Sequence, residues 1–221
     1  MKAICLSAGH YTNDPGAISG SLIERDLTIK ITNRCADIIR KHSIDVLQVP
    51  DDIDLVPTIN WINSRATQIE LCVEIHINAG GGHGMETWYY KNSSESKKLA
   101  TFINDACVAE TGLANRGVKD ESTNQWGKLG FVHDTLPLAC LTECGFIDGD
   151  YDYLSVDENL TRLAKGVARG IISYLGKKWT PELLNPVAET PVLNNKELEK
   201  ALSDLQNLKD KVKKAVEILN S

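Results

Sequence analysis

The sequence predicts an α/β fold: a mostly parallel twisted sheet with helices on both faces, plus a C-terminal coiled-coil-like helix. Three observations carry that expectation. Apolar runs short enough to be buried strands alternate with helix-period segments up to about residue 176. The intervening segments are long enough for crossover connections, which are right-handed in parallel sheets. Beyond them Pro181, Pro186 and Pro191 interrupt the pattern before a heptad stripe begins.

In chain order, a first strand is expected near residues 2–8, followed by the loop GHYTNDPGAISG. A helix from about Ser21 to Lys41 follows, because Leu27, Ile31, Cys35, Ile38 and Ile39 recur on one face. DVLQVP reads as a strand, and TINWINSRATQIE as a helix burying Trp61, Ile62 and Ile69. LCVEIHIN and METWYY read as strands, the second rich in the aromatics that strands favour. The next helix runs from about Ser94 to Thr111 and stops near Gly112. A loop, ANRGVKDESTNQWG, then leads to a strand near KLGFVH. LACLTECGF is the central strand candidate, and ENLTRLAKGVARGIISYLGKK the closing helix, with Gly176 at its end.

These segments place one domain at 1–178, a Pro-containing linker at 179–194 and an amphipathic heptad helix at 195–221. Leu198, Ala201, Leu205, Leu208, Val212, Ala215 and Leu219 alternate by three and four, as in a coiled-coil seam. Self-association into a homo-oligomer, docking on the domain's own core and binding of a partner all remain open for that helix.

Composition narrows the partners. The 221 residues are 24% charged and 42% hydrophobic, an ordinary make-up for a globular chain. A net charge of −6 speaks against nucleic acid and anionic surfaces, since no basic patch supplies the attraction. No run approaches the roughly 20 apolar residues of a membrane span. No signal peptide is expected, because MKAICLSAGH has one lysine and a short apolar run leading straight into His10. The six cysteines form no CxxC pair, and Cys5, Cys72 and Cys140 lie inside apolar runs. Reduced thiols are therefore expected for all six.

Four residues carry chemistry. His10 and His76 close the apolar runs AICLSAGH and LCVEIH, Glu143 closes LACLTE, and Glu24 heads the first helix. Open α/β sheets gather sites at the carboxyl ends of their strands. Two imidazoles and a carboxylate suit a catalytic zinc, with a second carboxylate as the base for its water. Each residue alone has a plainer role. His10 and His76 could be hydrogen-bonded turn histidines. Ser21-Leu22-Ile23-Glu24 matches a capping box in which Glu24 would bond the Ser21 amide. Glu143 is harder to explain so, because an unpaired carboxylate in an apolar run is costly, and burial would raise its pKa into the general acid–base range.

Six ordered motifs then point to one family: GHYTNDPGA, LIERDL, EIHINA, GMETWYY, RGVK and TECGF, spanning about residues 3–176. Together they resemble the zinc-dependent N-acetylmuramoyl-L-alanine amidases of the Amidase_3 group, found in bacterial autolysins and phage endolysins. The resemblance implies one zinc ion per chain held by His10, Glu24 and His76, with Glu143 as the catalytic glutamate. It implies peptidoglycan as substrate, cut at the amide between N-acetylmuramic acid and L-alanine. A non-catalytic wall-binding module and a zinc peptidase cutting within the stem peptide are the competing readings. Asn78, Glu86, Arg116, Lys119 and His133 are carried over as substrate-side candidates, although solvated loop charges are the favoured reading of Arg116 and Lys119. His83, in a glycine run, is expected in solvent, as is His42. Three departures stand out: Glu74 where the group has serine, Asp148-Gly149 after the GF pair, and His133 at a position usually basic. Glu74, beside His76 on its strand, could orient a ligand or alter the charge at the metal. Without a signal peptide, access to the wall is expected through a phage-made membrane lesion, with a bacterial sporulation or autolytic role as the alternative.

Overall fold

A computed structural model describes residues 2–184, apart from Trp126. The linker beyond residue 184 and the heptad helix at 195–221 lie outside the described residues. The chain runs β1 (Ala3–Ala8), β2 (Ile18–Ser19), β3 (Leu22–Ile23), α1 (Glu24–Lys41), β4 (Val46–Gln48), α2 (Leu55–Asn63), β5 (Ile69–Asn78) and β6 (Met85–Tyr89). It continues with α3 (Ser94–Thr111), β7 (Asn115–Asp120), α4 (Gly130–Asp134), β8 (Leu138–Phe146), α5 (Tyr151–Leu154) and α6 (Asp157–Tyr174). The main sheet has the order β4-β1-β5-β8-β6-β7. The first four of these strands are mutually parallel, while β6 runs antiparallel to β8 and β7 follows β6. The mixed α/β architecture is the one expected.

Strand parity decides which residues can meet. Side chains alternate across a strand, so Cys72, Glu74 and His76 share one face of β5, and Ala139, Leu141 and Glu143 one face of β8. That face is covered by α2 and α4, through a core of Cys5, Ile62, Cys72, Phe131 and Ala139. On the other face, α1 and α3 pack against the sheet, and α6 packs against both helices. All six cysteines are buried and unpaired, in keeping with the reduced state expected.

Three local expectations are corrected, and one open alternative is excluded. α2 ends at Asn63, and Ile69 opens β5 instead of closing the helix. KLGFVH forms α4, not a strand. Its apolar run is too short to reveal a period, and the consecutive Phe131 and Val132 bury themselves in two different clusters. The supposed loop after α3 contains β7. Its alternation is broken where Met85↔Asn115 and Thr87↔Val118 set three residue steps against two, a bulge at Gly117 (φ 78°). Finally, no capping box forms at α1. The cap residue is Ile23, without a side-chain bond, and Ser21 Oγ lies 3.1 Å from Tyr151 Oη instead. Among the described residues, no helix is long and apolar enough to cross a membrane.

Candidate metal centre

β1 delivers His10 to the carboxyl edge of the sheet, and the turn after it folds back over the ring. His10 itself has a left-handed backbone, φ 68°, a conformation that costs a non-glycine residue of order 1 kcal/mol and is often found at functional sites. Asp14 builds the turn: its Oδ1 accepts the Gly16 amide at 3.0 Å, and its Oδ2 meets His10 Nδ1 at 2.8 Å.

Glu24 is 4% exposed and lies between the two histidines. His10 Nε2 is 3.0 Å from its Oε2, and His76 Nδ1 is 3.1 Å from its Oε1. The backbone amides of Ala17 and Ile77 donate to the same two oxygens. Burial opposes the carboxylate's charge, but the hydrogen bonds from His10 and His76 outweigh it and hold the pKa well below the usual range. For both histidines the balance is reversed in sign. Burial disfavours the imidazolium, yet Glu24 with Asp14 raises His10, and Glu24 with Glu74 raises His76 well above 6.5.

Donor atoms of His10, Glu24 and His76 all lie within 4.8 Å of one another. The set fits a zinc ion on a further ground. Metal-bound histidines usually give their other ring nitrogen to a carboxylate or carbonyl. Here His10 Nδ1 meets Asp14, and His76 Nε2 lies 3.3 Å from Glu74 Oε2. Each imidazole therefore has one nitrogen turned toward Glu24 and the centre and the other tied outside it. Space is also reserved. A Cβ on Gly9 would stand 2.5 Å from the His76 ring, and one on Gly16 2.5 Å from His10 Cδ2 and 2.6 Å from Glu24 Oε2.

Glu143 joins this group from the next strand, as the register partner of His76. Its Oε2 is enclosed, with no hydrogen-bond partner among the described residues. Burial pushes its carboxyl up to about 7; the charge of His76 pulls the other way, and Glu24 and Glu86 add to the rise. A carboxyl poised there can both accept and return a proton near neutral pH.

The substrate-side candidates divide. Glu86, opposite Glu143 in the antiparallel register, is 2% exposed. It accepts Asn78 Nδ2 at 3.1 Å, and both Arg116 Nε and Lys119 Nζ at 2.6 Å. Arg116 and Lys119 are thus neither loop charges nor free cations: the Gly117 bulge turns both toward one buried carboxylate. His133 is engaged elsewhere, with Nδ1 2.8 Å from Glu121 Oε1. His83 is exposed, as expected, although Asp150 lies 3.2 Å from its Nδ1. His42, by contrast, stacks on Trp179 at 5.0 Å. Asp148, one of the departures noted in the sequence, accepts the Gly80 and Gly81 amides, which pins the glycine run beside Asn78.

A cavity of about 310 Å³ opens beside His10 and His76, walled by Ile53, Leu55, Phe131 and Leu141. The centre is therefore reachable from outside, with an apolar wall on its α2–α4 side.

Known proteins of the same fold are similar to this chain. The Bacillus subtilis protein YqiI is 28% identical over 180 residues, covering 78% of this chain and 84% of that protein. The endolysin of Bacillus phage SPP1 is 29% identical over 188 residues, covering 80% of this chain and 67% of that protein. In structure, the chain is similar to the catalytic domain of CwlV, an N-acetylmuramoyl-L-alanine amidase from Bacillus (Paenibacillus) polymyxa var. colistinus. That match has a TM-score of 0.71 at 26% identity and covers 80% of this chain and 100% of that one. The Amidase_3 model, described as N-acetylmuramoyl-L-alanine amidase, matches residues 4–173, and the chain belongs to this family.

Proposed function

We propose that the protein is a zinc-dependent peptidoglycan hydrolase that cuts the amide between N-acetylmuramic acid and the L-alanine of the stem peptide. The observation that carries this reading is the convergence of His10, Glu24 and His76 beside a glutamate whose carboxyl sits at about 7. A zinc ion held by those three residues supplies Lewis acidity at the scissile carbonyl and lowers the pKa of water to about 7. The protein's own part is to fix and move protons. Asp14 orients the His10 imidazole, and Glu24 presents an oxygen to each of the two rings. Glu143 takes the proton of the attacking water and returns it to the leaving amine of L-alanine, the two roles of a general acid–base carboxyl. The Glu86–Arg116–Lys119 group flanks that carboxylate and keeps a structured, charged wall on its far side.

The same reading gives the protein a phage endolysin role, reaching the wall through a membrane lesion; its support is the similarity to the SPP1 endolysin. Two experiments test the proposal. Zinc-loaded protein incubated with purified sacculi should release intact stem peptides with a free L-alanine amine, read by mass spectrometry. Chelation or Glu143→Ala should abolish release, with Glu143→Ala still binding zinc. Cuts inside the stem peptide, or full activity of Glu143→Ala, would overturn the assignment. For the endolysin role, expression inside the host should cause lysis only when a membrane-permeabilising protein is co-expressed. Lysis without one would refute it.

A further inference from the structure

Glu74 is a buried carboxylate, 5% exposed, that takes no part in the proton transfers just described. It occupies the middle of β5 in the otherwise apolar run LCVEIHI, where an unpartnered carboxylate would be costly. Two contacts account for it. Its Oε2 lies 3.3 Å from His76 Nε2, and its Oε1 accepts Ser7 Oγ at 3.3 Å. Ser7 is the register partner of Glu74 on β1 and is itself 2% exposed. A buried line therefore runs from Ser7 through Glu74 to His76 and on to Glu24.

That line decides how His76 can act. A neutral imidazole carries one N–H, and which nitrogen keeps it is set by the bond the other makes. His76 Nδ1 faces Glu24 Oε1, the oxygens of which also face His10. Nδ1 is thus the atom turned toward the shared centre, and it must be unprotonated to bind a metal. Glu74 receives the proton-bearing Nε2. Charge points the same way. A dication moved from water into a buried site is favoured by buried negative charge, and Glu24 together with Glu74 supplies two carboxylates, enough to balance it.

We infer that Glu74 is a positioning residue for the metal centre: by accepting the Nε2–H of His76 it fixes the tautomer that presents Nδ1, and so sets how tightly zinc is held. This rests on the metal reading above. It assigns Glu74 no contact with zinc or with the reacting atoms. Ser7 acts one step further out, holding the Glu74 carboxylate by its other oxygen.

The test is the zinc dissociation constant of the full chain, measured by competition with a chromogenic chelator. Outer-sphere partners of metal-binding histidines typically govern affinity by about 10–100-fold, and Glu74→Ala should lose affinity by that factor. Glu74→Gln keeps an oxygen for the Nε2–H without the charge, so its loss should be smaller. Ser7→Ala should weaken binding only a few-fold. Unfolding of each variant in excess chelator separates metal affinity from general stability. Should Glu74→Ala fail to fold, the isosteric Glu74→Gln and Ser7→Ala carry the comparison. A second readout is the ¹⁵N spectrum of His76 in the zinc-loaded protein. It should show a slowly exchanging Nε2–H in the wild type and in Glu74→Gln, and lose it in Glu74→Ala. Zinc affinity of Glu74→Ala within about two-fold of wild type while His76→Ala loses the metal, or a zinc-loaded wild type whose His76 Nε2 carries no slowly exchanging proton, would overturn the inference. Wild-type affinity in His76→Ala would instead overturn the metal assignment beneath it.

Discussion

Replacing Glu143 by glutamine is expected to stabilise the zinc-free fold while abolishing amide cleavage, and the stabilisation should depend on pH in a defined direction. The Glu143 carboxyl sits at about 7 against an ordinary 4.5, chiefly because burial disfavours its charge. At about 1.4 kcal/mol per pKa unit, that displacement corresponds to about 3.5 kcal/mol. Part of the side chain remains open to solvent, and screening there brings the expectation to about 2–3 kcal/mol. For a carboxyl raised on folding, the stabilising state is the protonated one. Its contribution is fully present below the unfolded value of 4.5 and is lost as pH rises through about 7. Glutamine keeps the shape and cannot ionise. The stability difference between Glu143→Gln and wild type should therefore be small near pH 4.5 and approach about 2–3 kcal/mol by about pH 8. Urea unfolding of the metal-free proteins across that range measures it directly. Glu24, His10 and His76 titrate in both proteins and largely cancel in the difference. Adding zinc should shrink the gap, because a cation beside the carboxylate favours its charged form. Two pH–stability curves that stay parallel from about pH 4.5 to 8 would refute the burial argument. Amide cleavage should fall by at least the 10²–10⁴-fold typical of losing a general acid–base group.

Three further outcomes are expected. Gly16→Ala should weaken zinc binding by at least about ten-fold with the fold retained by circular dichroism, since the new Cβ meets His10 and Glu24 at 2.5 and 2.6 Å. Gly80→Ala, also at positive φ but in open space, is the control and should leave zinc affinity unchanged. Glu86→Gln should cost about 1–3 kcal/mol in chemical denaturation by stripping Arg116 and Lys119 of their shared carboxylate. The cost stays below that of a fully buried pair because both cations are about one-third exposed, and a change under about 0.5 kcal/mol would count against the network. Zinc binding should release protons, because His10 and His76 are both held above 6.5 in the metal-free centre. Affinity should accordingly tighten from about pH 6 to 8. Calorimetry in buffers of different ionisation enthalpy reads the proton count, and a value of zero would refute it.

The fold was legible wherever an element buries a continuous surface. β1, β5 and β8 read as strands because their runs are apolar on both faces. α1, α3 and α6 read as helices because their stripes recur with the helical period. Legibility failed where an element is short or bulged. α4 is five residues long, too few to display a period. In β7 the Gly117 bulge puts Arg116 and Lys119 on one side at a spacing that denies a strand. The same bulge hid their partner, because the signal for a buried Glu86 is its cross-strand position and not its neighbours in sequence.

At the site, the sequence by itself determined the residue types at the sheet edge. Its strand runs ended on His10, His76 and Glu143, and the ordered motifs around them pointed to the family that the fold and the comparisons then supported. It could not choose between Glu24 as a helix cap and Glu24 as a ligand, because both need a carboxylate at the same position in the chain. The tertiary structure ruled out the cap: the amides of Ala17 and Ile77 and the rings of His10 and His76 converge on that side chain, while Ser21 turns away to Tyr151. Nor could sequence spacing assign the outer partners Asp14, Glu74 and Ser7, or the carboxyl of Glu143 held at about 7. The physical reason is the same in each case. Residue type and period are properties of one segment, whereas a ligand's orientation and a carboxyl's charge depend on which other segments enclose it.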